Sequence, residues 1–299
     1  MNIEMAYLMG MIIGNGELQR GRTETTVSIS LPHKTQYTDA ARDVLLAVRA
    51  SVADIMTILQ PVVGTAIRYT QKKSETTIFF TKSNADYLIT EIVRLCGTHV
   101  SYETMRIPDY FFNSATEEEI KSFLRGLADV TAHIRNSNMY FNINDQHRVY
   151  IEVPQNWLLV VDICNLLRKV DVPVQTIDWA HPNMRDGNVR KYNEGNVNFW
   201  KKEHQIKIFA NEFLKIGFSI IHKSEGLKEY AKKLEETYKI NHYGAPAKEL
   251  THRYYWETKD SNKVKPHHPG ENDEFIPEQI RGRHFNSWKE IARALGYKR

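Results

Sequence analysis

Along the first third of the chain, the spacing of hydrophobic and polar residues changes in a regular order between that of a helix and that of a strand. "AYLMGMIIG" at 6–14 is apolar at almost every position and predicts a buried helix. "TTVSISL" at 25–31 instead alternates, which predicts a half-buried strand with Val27, Ile29 and Leu31 on its inner face. Helical periodicity follows from about 39 to 59. Two further strand patterns, "TAIRYT" and "TTIFFT", precede the helical "ADYLITEIVRLCG".

The same order recurs in the second part of the chain. "FLRGLADVTAHI" at 123–134 matches "YLMGMIIGNGEL" at 7–18, and the shared glycines, Gly10 and Gly126, are 126 − 10 = 116 residues apart. The second copy continues with the strand "RVYIEV", the helix "WLLVVDICNLLRKV", the strands "VQTIDWAH" and "HQIKIFA", and two short helices. Repeats of this length indicate one structural unit used twice. The pattern predicts an α+β fold of two pseudo-symmetric αββαββα domains.

The boundaries of these domains follow from the segments between the patterns. We predict a first domain at 1–107, a linker at 108–118, a second domain at 119–240 and a C-terminal extension at 241–299. In the linker, Ser114 or Thr116 can cap the next helix, whose first turn is acidic. The extension combines a polar loop, rich in Pro and Gly, with a short basic helix.

Composition limits the function classes without selecting one. Hydrophobic residues make up 41% of the 299 residues and charged residues 25%, which is ordinary for a globular protein and argues against a disordered or fibrous chain. The net charge of +4 is too mild by itself to require an anionic partner. Neither a signal peptide nor a long apolar span is visible, and the two cysteines lie in apolar helical patterns. We expect a cytoplasmic protein with no membrane partner.

The repeated helix motif resembles that of the LAGLIDADG homing endonucleases in their single-chain form. The motif covers Leu8 to Gly16 in the first copy and Leu124 to Ala132 in the second, and the resemblance extends over roughly residues 1–240. It implies that the two motif helices pack together at a pseudo-twofold axis, with Gly10, Gly14 and Gly126 at the domain interface. It also implies a monomer in which the two antiparallel sheets form a saddle over double-stranded DNA.

The resemblance implies a metal site as well, but the sequence departs from the family at that site. An acidic residue at the eighth motif position of each copy would bind Mg²⁺, a hard cation that prefers oxygen ligands. Asn15 and Thr131 occupy these positions here. Glu17 and Asp129 lie two residues away, so we name Asn15, Thr131, Glu17 and Asp129 as catalytic candidates. Glu17 and Asp129 are the candidate ligands of a remodelled Mg²⁺ site. Alternatively, Glu17 is a solvated residue and Asp129 a structural one.

The polar faces of the strands and the basic turns between them are candidates for DNA contacts, because a two-stranded ribbon fits the major groove. Polar residues at alternate positions also occur on open sheets that only face solvent. The DNA-binding candidates are Thr26, Ser28, Ser30, Arg68, Thr70, Lys72, Lys73, Arg148, Tyr150, Glu152, Arg190, Lys191, Lys201, Lys202, Gln205, Lys207, Arg281 and Arg283.

Three functions are compatible with these patterns. The first is a site-specific DNA endonuclease of the homing or restriction type, with a remodelled active site. The second is a DNA-binding protein of the same fold that does not cleave. The third is an RNA-binding intron maturase, since some members of the resembled family bind structured RNA.

Overall fold

Two units of the same design make up most of the described structure. This computed structural model describes residues 1–36, 38, 43–100, 104–136, 147–154, 156–174, 176–181, 203–241, 279, 290 and 293–297. The first unit contains α1 (Ile3–Asn15), β1 (Gly16–Arg20), β2 (Glu24–Pro32), α2 (Val44–Val63), β3 (Arg68–Gln71), β4 (Glu75–Ser83) and α3 (Tyr87–Cys96). After α4 (Asp109–Asn113), the second contains α5 (Glu117–Thr131), β5 (Ala132–Asn136), β6 (His147–Pro154), α6 (Trp157–Lys169), β7 (Thr176–His181), β8 (Glu203–Phe209), α7 (Ala210–Phe213) and α8 (Ile221–Asn241).

Each unit has one four-stranded antiparallel sheet with the same topology. The strand order is β1-β2-β4-β3 in the first sheet and β5-β6-β8-β7 in the second. In β2 the residues alternate as predicted: Val27, Ile29 and Leu31 are buried, while the side chains between them are half-buried. The inner face of each sheet therefore packs on helices and its outer face is polar, which is usual for antiparallel sheets. The predicted α+β fold of two αββαββα units is confirmed.

The first helices of the two units, α1 and α5, pack against each other at backbone distance. A Cβ atom built on Gly10 would lie 1.9 Å from the carbonyl oxygen of Phe123, and one built on Gly126 would lie 2.0 Å from that of Tyr7. Only glycine permits this approach. Further along, a Cβ atom on Gly14 would meet side-chain carbons of Val130 and Thr131 at 2.7 and 3.0 Å. The two helices thus run side by side in the same direction and end at the same level.

Several elements differ in extent from the prediction. The strand β1 begins directly at Gly16, so Glu17 lies in a sheet and not in a loop after the helix. The predicted linker contains the short helix α4, and Thr116, rather than Ser114, caps α5 in a capping box with Glu119. The boundaries of the domains stay a prediction.

Of the described helices, α2 alone is long and apolar enough to cross a membrane by length and composition. One side of it is buried in the protein core through Val48, Val52, Ile55 and Leu59. The helix ends at Gly64, whose φ of 63° is left-handed and favours glycine. This packing is that of a core helix in the first unit.

A buried histidine on β8 gives the fold a pH dependence in acid. His204 is 4% exposed, and burial lowers its pKa to about 4 from an ordinary value of 6.5. Between these two values the unfolded chain binds the proton and the folded chain does not, so stability falls as pH falls from about 6.5 to about 4. We expect His204 to account for up to about 3 kcal/mol of this loss. Urea unfolding at several pH values measures it.

The matched control for this prediction is the exposed His99. A His204→Asn variant is expected to show a flatter dependence of unfolding free energy on pH between 4 and 6.5. A His99→Asn variant should keep the wild-type slope. Equal slopes for wild type and His204→Asn would show that burial of this imidazole does not govern acid stability.

Candidate nucleic-acid interface

The site begins where α1 and α5 end, because each helix passes directly into the first strand of its sheet. Asn15, the last residue of α1, donates through Nδ2 to the carbonyl oxygen of Val130 at 2.9 Å. Thr131, the last residue of α5, is 5% exposed and donates through Oγ1 to the carbonyl oxygen of Leu127 at 2.7 Å. Both side chains at the eighth motif position therefore bind backbone within the helix pair.

Asp129 lies inside the protein rather than at its surface. The residue is 0% exposed, and its Oδ2 accepts hydrogen bonds from the Tyr7 hydroxyl at 2.8 Å and the Ser219 amide at 3.0 Å. Burial raises the pKa of this carboxyl group, although the charge of Lys223 opposes the rise. Residues two apart in a helix point in nearly opposite directions, which explains why Asp129 and Thr131 meet different surroundings.

Lys223 of α8 binds the backbone carbonyl groups at the C-terminal end of α5. Its ammonium group is buried and donates to the carbonyl oxygens of Ala128, Asp129 and Ala132 at 3.2, 3.1 and 2.8 Å. The last carbonyls of a helix lack partners within the helix and carry partial negative charge, so a cation is favourable there. Burial lowers the pKa of Lys223 to about 8, and Asp129 opposes this shift. The three hydrogen bonds from Lys223 join α8 to α5, while the Asp129 carboxyl group acts on Lys223 only through its nearby charge.

Glu17 has the opposite environment, because it lies on the outer face of the first sheet. Its side chain is exposed, its cross-strand partner is Ser28, and its Oε1 accepts a hydrogen bond from Gln19 Nε2 at 3.2 Å. A carboxylate at this place is accessible to a ligand over the sheet.

The predicted pairing of Glu17 and Asp129 as metal ligands does not fit this geometry. One carboxylate faces solvent, whereas the other is enclosed and already accepts two hydrogen bonds. Within the described ranges, no three His, Cys, Asp or Glu residues come together in a group that could hold a metal ion. In this structure the Asp129 carboxyl group is enclosed beside Tyr7 and Ser219 and lies apart from the exposed Glu17.

The outer face of the first sheet carries the predicted polar residues at or near the surface. Thr26, Ser28 and Ser30 are half-buried on β2. The Oγ atom of Ser30 donates to Glu75 at 2.9 Å, and hydrogen bonds from Lys72 and then from Ser30 hold the pKa of Glu75 below its usual range. The remaining predicted residues of this unit, Arg68, Thr70, Lys72 and Lys73, are exposed.

The outer face of the second sheet is less open than predicted. Tyr150, Glu152 and Gln205 are only 2%, 7% and 3% exposed. Glu152 forms an ion pair with Lys34 of the first unit at 2.7 Å, and its Oε1 accepts a hydrogen bond from Gln205 at 3.2 Å. All three side chains are therefore largely closed to solvent, and Glu152 and Gln205 form bonds within the protein. The cations Arg148 and Lys207 on the same face are half-buried.

Six predicted DNA-binding residues lie outside the described residues, and their assignment stays a prediction. They are Arg190, Lys191, Lys201, Lys202, Arg281 and Arg283.

Three residues of the site were not among the sequence candidates. Lys34 follows β2 in a 3-10 turn, and Lys223 begins α8; no periodic pattern marks either as a long-range partner. Arg135 could have been found, because it lies 116 residues after Gln19 and so shares its place in the repeat.

Comparison with known proteins gives structural matches only. No protein-family model matches the chain, and no curated protein matches it. Solved structures similar to it include mesophilic variants of the homing endonuclease I-DmoI (15% identity, TM-score 0.40, 75% of this chain and 96% of that chain). The homing endonuclease I-WcaI bound to its DNA recognition sequence is similar at 12% identity and TM-score 0.43, over 77% and 85% of the two chains.

Full-length DUF199/WhiA from Thermatoga maritima is another match, at 13% identity and TM-score 0.43, over 83% of this chain and 64% of that chain. The first two of these structures are homing endonucleases, the family that the sequence motif resembles. Because these scores are low, the fold assignment rests on the two repeated units and their paired helices.

Proposed function

We propose that this protein binds double-stranded DNA at a specific sequence through the outer faces of its two sheets. One observation carries the proposal: α1 and α5 end at the same level, and each continues without a loop into the first strand of a sheet. This arrangement brings two polar strand faces to the same side of the molecule. A two-stranded ribbon fits the major groove of DNA, where its side chains can contact base edges.

The residues available on these faces suit such contacts. The first sheet offers hydroxyl and amide groups and the exposed cations Arg68, Lys72 and Lys73. Hydroxyl and amide side chains form hydrogen bonds to bases and sugars, while lysine and arginine contact phosphates. Contacts of both kinds are needed for a protein that selects a sequence and also holds the duplex.

Selection from a randomised duplex library tests this proposal. We expect repeated rounds with the full chain to enrich one sequence, and fluorescence anisotropy to show saturable binding to it. A scrambled duplex should bind at least about a hundredfold more weakly at the same salt concentration. Equal affinity for all duplexes, or stronger binding to structured RNA, would contradict the proposal.

Variants can connect that binding to the outer face. An Arg68→Gln, Lys73→Gln double variant removes two exposed cations of the first unit and should weaken binding. As a control, Lys121→Gln removes a cation near the N-terminal end of α5, whereas the proposed interface lies at the C-terminal end of that helix. The control variant should bind as the wild type does.

Site-specific DNA cleavage is a second candidate function, and the exposed position of Glu17 favours it. A carboxylate just beyond the paired helix ends would lie over a bound duplex near the pseudo-twofold axis. We propose that any cleavage depends on Glu17 and not on Asp129. The selected duplex, incubated with the protein in Mg²⁺ or Mn²⁺, should then be cut by the wild type and left intact by Glu17→Gln. If neither metal supports cutting while binding persists, the protein binds without cleaving.

A further inference from the structure

Three cations surround one buried tyrosine on the outer face of the second sheet. The guanidinium carbon of Arg135 lies 4.3 Å from the centre of the Tyr150 ring, and Lys207 Nζ lies 5.5 Å from it. Arg148, the third, has its guanidinium carbon 5.7 Å from the ring of Phe209. We call Arg135, Arg148 and Lys207 the cationic triplet. All three are half-buried, so the aliphatic part of each side chain packs on the protein while its charged end reaches solvent.

Two members of the triplet are placed where like charges repel. Arg135 and Arg148 are direct cross-strand partners between β5 and β6. Like charges directly opposite each other destabilise a sheet unless an anion lies between them. Within the described part of the chain, neither arginine has a carboxylate partner, and Arg148 Nε is buried without a hydrogen bond. Glu152, on the same face, pairs with Lys34 instead.

The first sheet provides an internal comparison because its strands have the same register. Gln19 pairs with Thr26 as Arg135 pairs with Arg148, and Ser28 pairs with Phe79 as Tyr150 pairs with Lys207. The places of the triplet are therefore occupied by Gln19, Thr26 and Phe79 in the first unit. At these three equivalent positions the second sheet carries three positive charges and the first sheet carries none.

We infer that the cationic triplet binds phosphate groups of the DNA backbone, so that these three positions of the second sheet contribute to the salt-dependent affinity and the equivalent positions of the first sheet do not. Arg135 and Arg148, which face each other across two strands and have no carboxylate partner among the described residues, are stabilised by a polyanion. Stacking on Tyr150 and Phe209 fixes their positions before binding, which reduces the entropy lost on contact. The inference rests on the proposed DNA-binding function and adds which residues of the second sheet contact the duplex backbone.

Salt dependence of binding tests the inference directly. Each phosphate contact contributes about 0.9 to the slope of log affinity against log salt concentration. A variant with Arg135→Gln, Arg148→Thr and Lys207→Gln should lower this slope by about 2 to 3, and Arg135→Gln alone by about 1. The duplex is the one enriched from the library, and affinity is measured by anisotropy at several salt concentrations.

Matched variants of the first sheet serve as the control. Gln19→Ala with Thr26→Ala should leave the salt slope unchanged, whereas Gln19→Arg with Thr26→Arg should increase it. Thermal unfolding separates binding from folding: because the triplet variant removes a repulsion, its melting temperature should not fall.

Three outcomes are decisive. A reduced slope with an unchanged melting temperature supports the inference. An unchanged slope in a triplet variant that still binds DNA overturns it and leaves the proposed function intact. If the wild type binds no duplex saturably, the proposed function itself fails.

Discussion

A Gly126→Ala variant is expected to lose about 3 kcal/mol or more of folding stability, or to fail to fold. The added methyl carbon would lie 2.0 Å from the carbonyl oxygen of Tyr7. Both the Gly126 backbone and this carbonyl group belong to helices, so the clash is relieved only if α1 and α5 separate. Helix propensity alone would predict that Gly126→Ala gains stability, because alanine favours a helix by up to about 1 kcal/mol over glycine. Urea unfolding measures the difference.

Gly14→Ala is the graded control for this prediction. Its methyl carbon would meet side-chain carbons of Val130 and Thr131, and these groups can adjust by rotation. We expect a loss of about 1 kcal/mol. Equal stability of Gly126→Ala and the wild type would show that the helices do not pack at backbone distance.

An Asp129→Ala variant is expected to lose about 3 to 5 kcal/mol of folding stability, because it leaves the Ser219 amide without its acceptor and removes the nearby charge that opposes the desolvation of Lys223. It also removes the acceptor of the Tyr7 hydroxyl. Glu17→Ala is the control on the exposed outer face and should unfold like the wild type. Thermal and urea unfolding of both variants are the measurements.

A double variant identifies the cause of this loss. Replacing both residues, as Asp129→Ala with Lys223→Met, also removes the buried ammonium group, and it should recover part of the stability if the two side chains are coupled through their charges. If the two losses simply add, Asp129 and Lys223 stabilise the protein independently.

Much of the fold could be predicted from the sequence because the helical and the strand periodicities of its hydrophobic residues are both strong. The alternation in β2 indicates a sheet face directly, and the contact of the two helices at Gly10 and Gly126 follows from the resemblance of the repeated motif to a known family. The motif spacing of 116 residues also places Glu17 and His133 at equivalent positions, each the second residue after its helix. Local patterns of this kind decide which face of an element is buried.

The site could be predicted less well, because its decisive contacts join residues far apart in the chain. Asp129 contacts Tyr7, which is 122 residues away, and Ser219, which is 90 residues away. Its two-residue distance from the eighth motif position suggested a nearby ligand, yet that distance turns a helical side chain to another face. Likewise, no pattern in β6 indicates that Glu152 is buried against a lysine of the other unit.

The contact between α1 and α5 has a consequence for how the chain is made. Residues of α1 find their partners only after about 116 more residues have been synthesised, which takes about 6 to 23 s at ordinary translation rates. During that time α1, the most apolar of the described helices, has no partner on its glycine face. Contacts over such sequence distances slow folding and prolong the exposure of apolar surface. Until α5 has been made, α1 is thus a segment of the nascent chain that needs protection from aggregation.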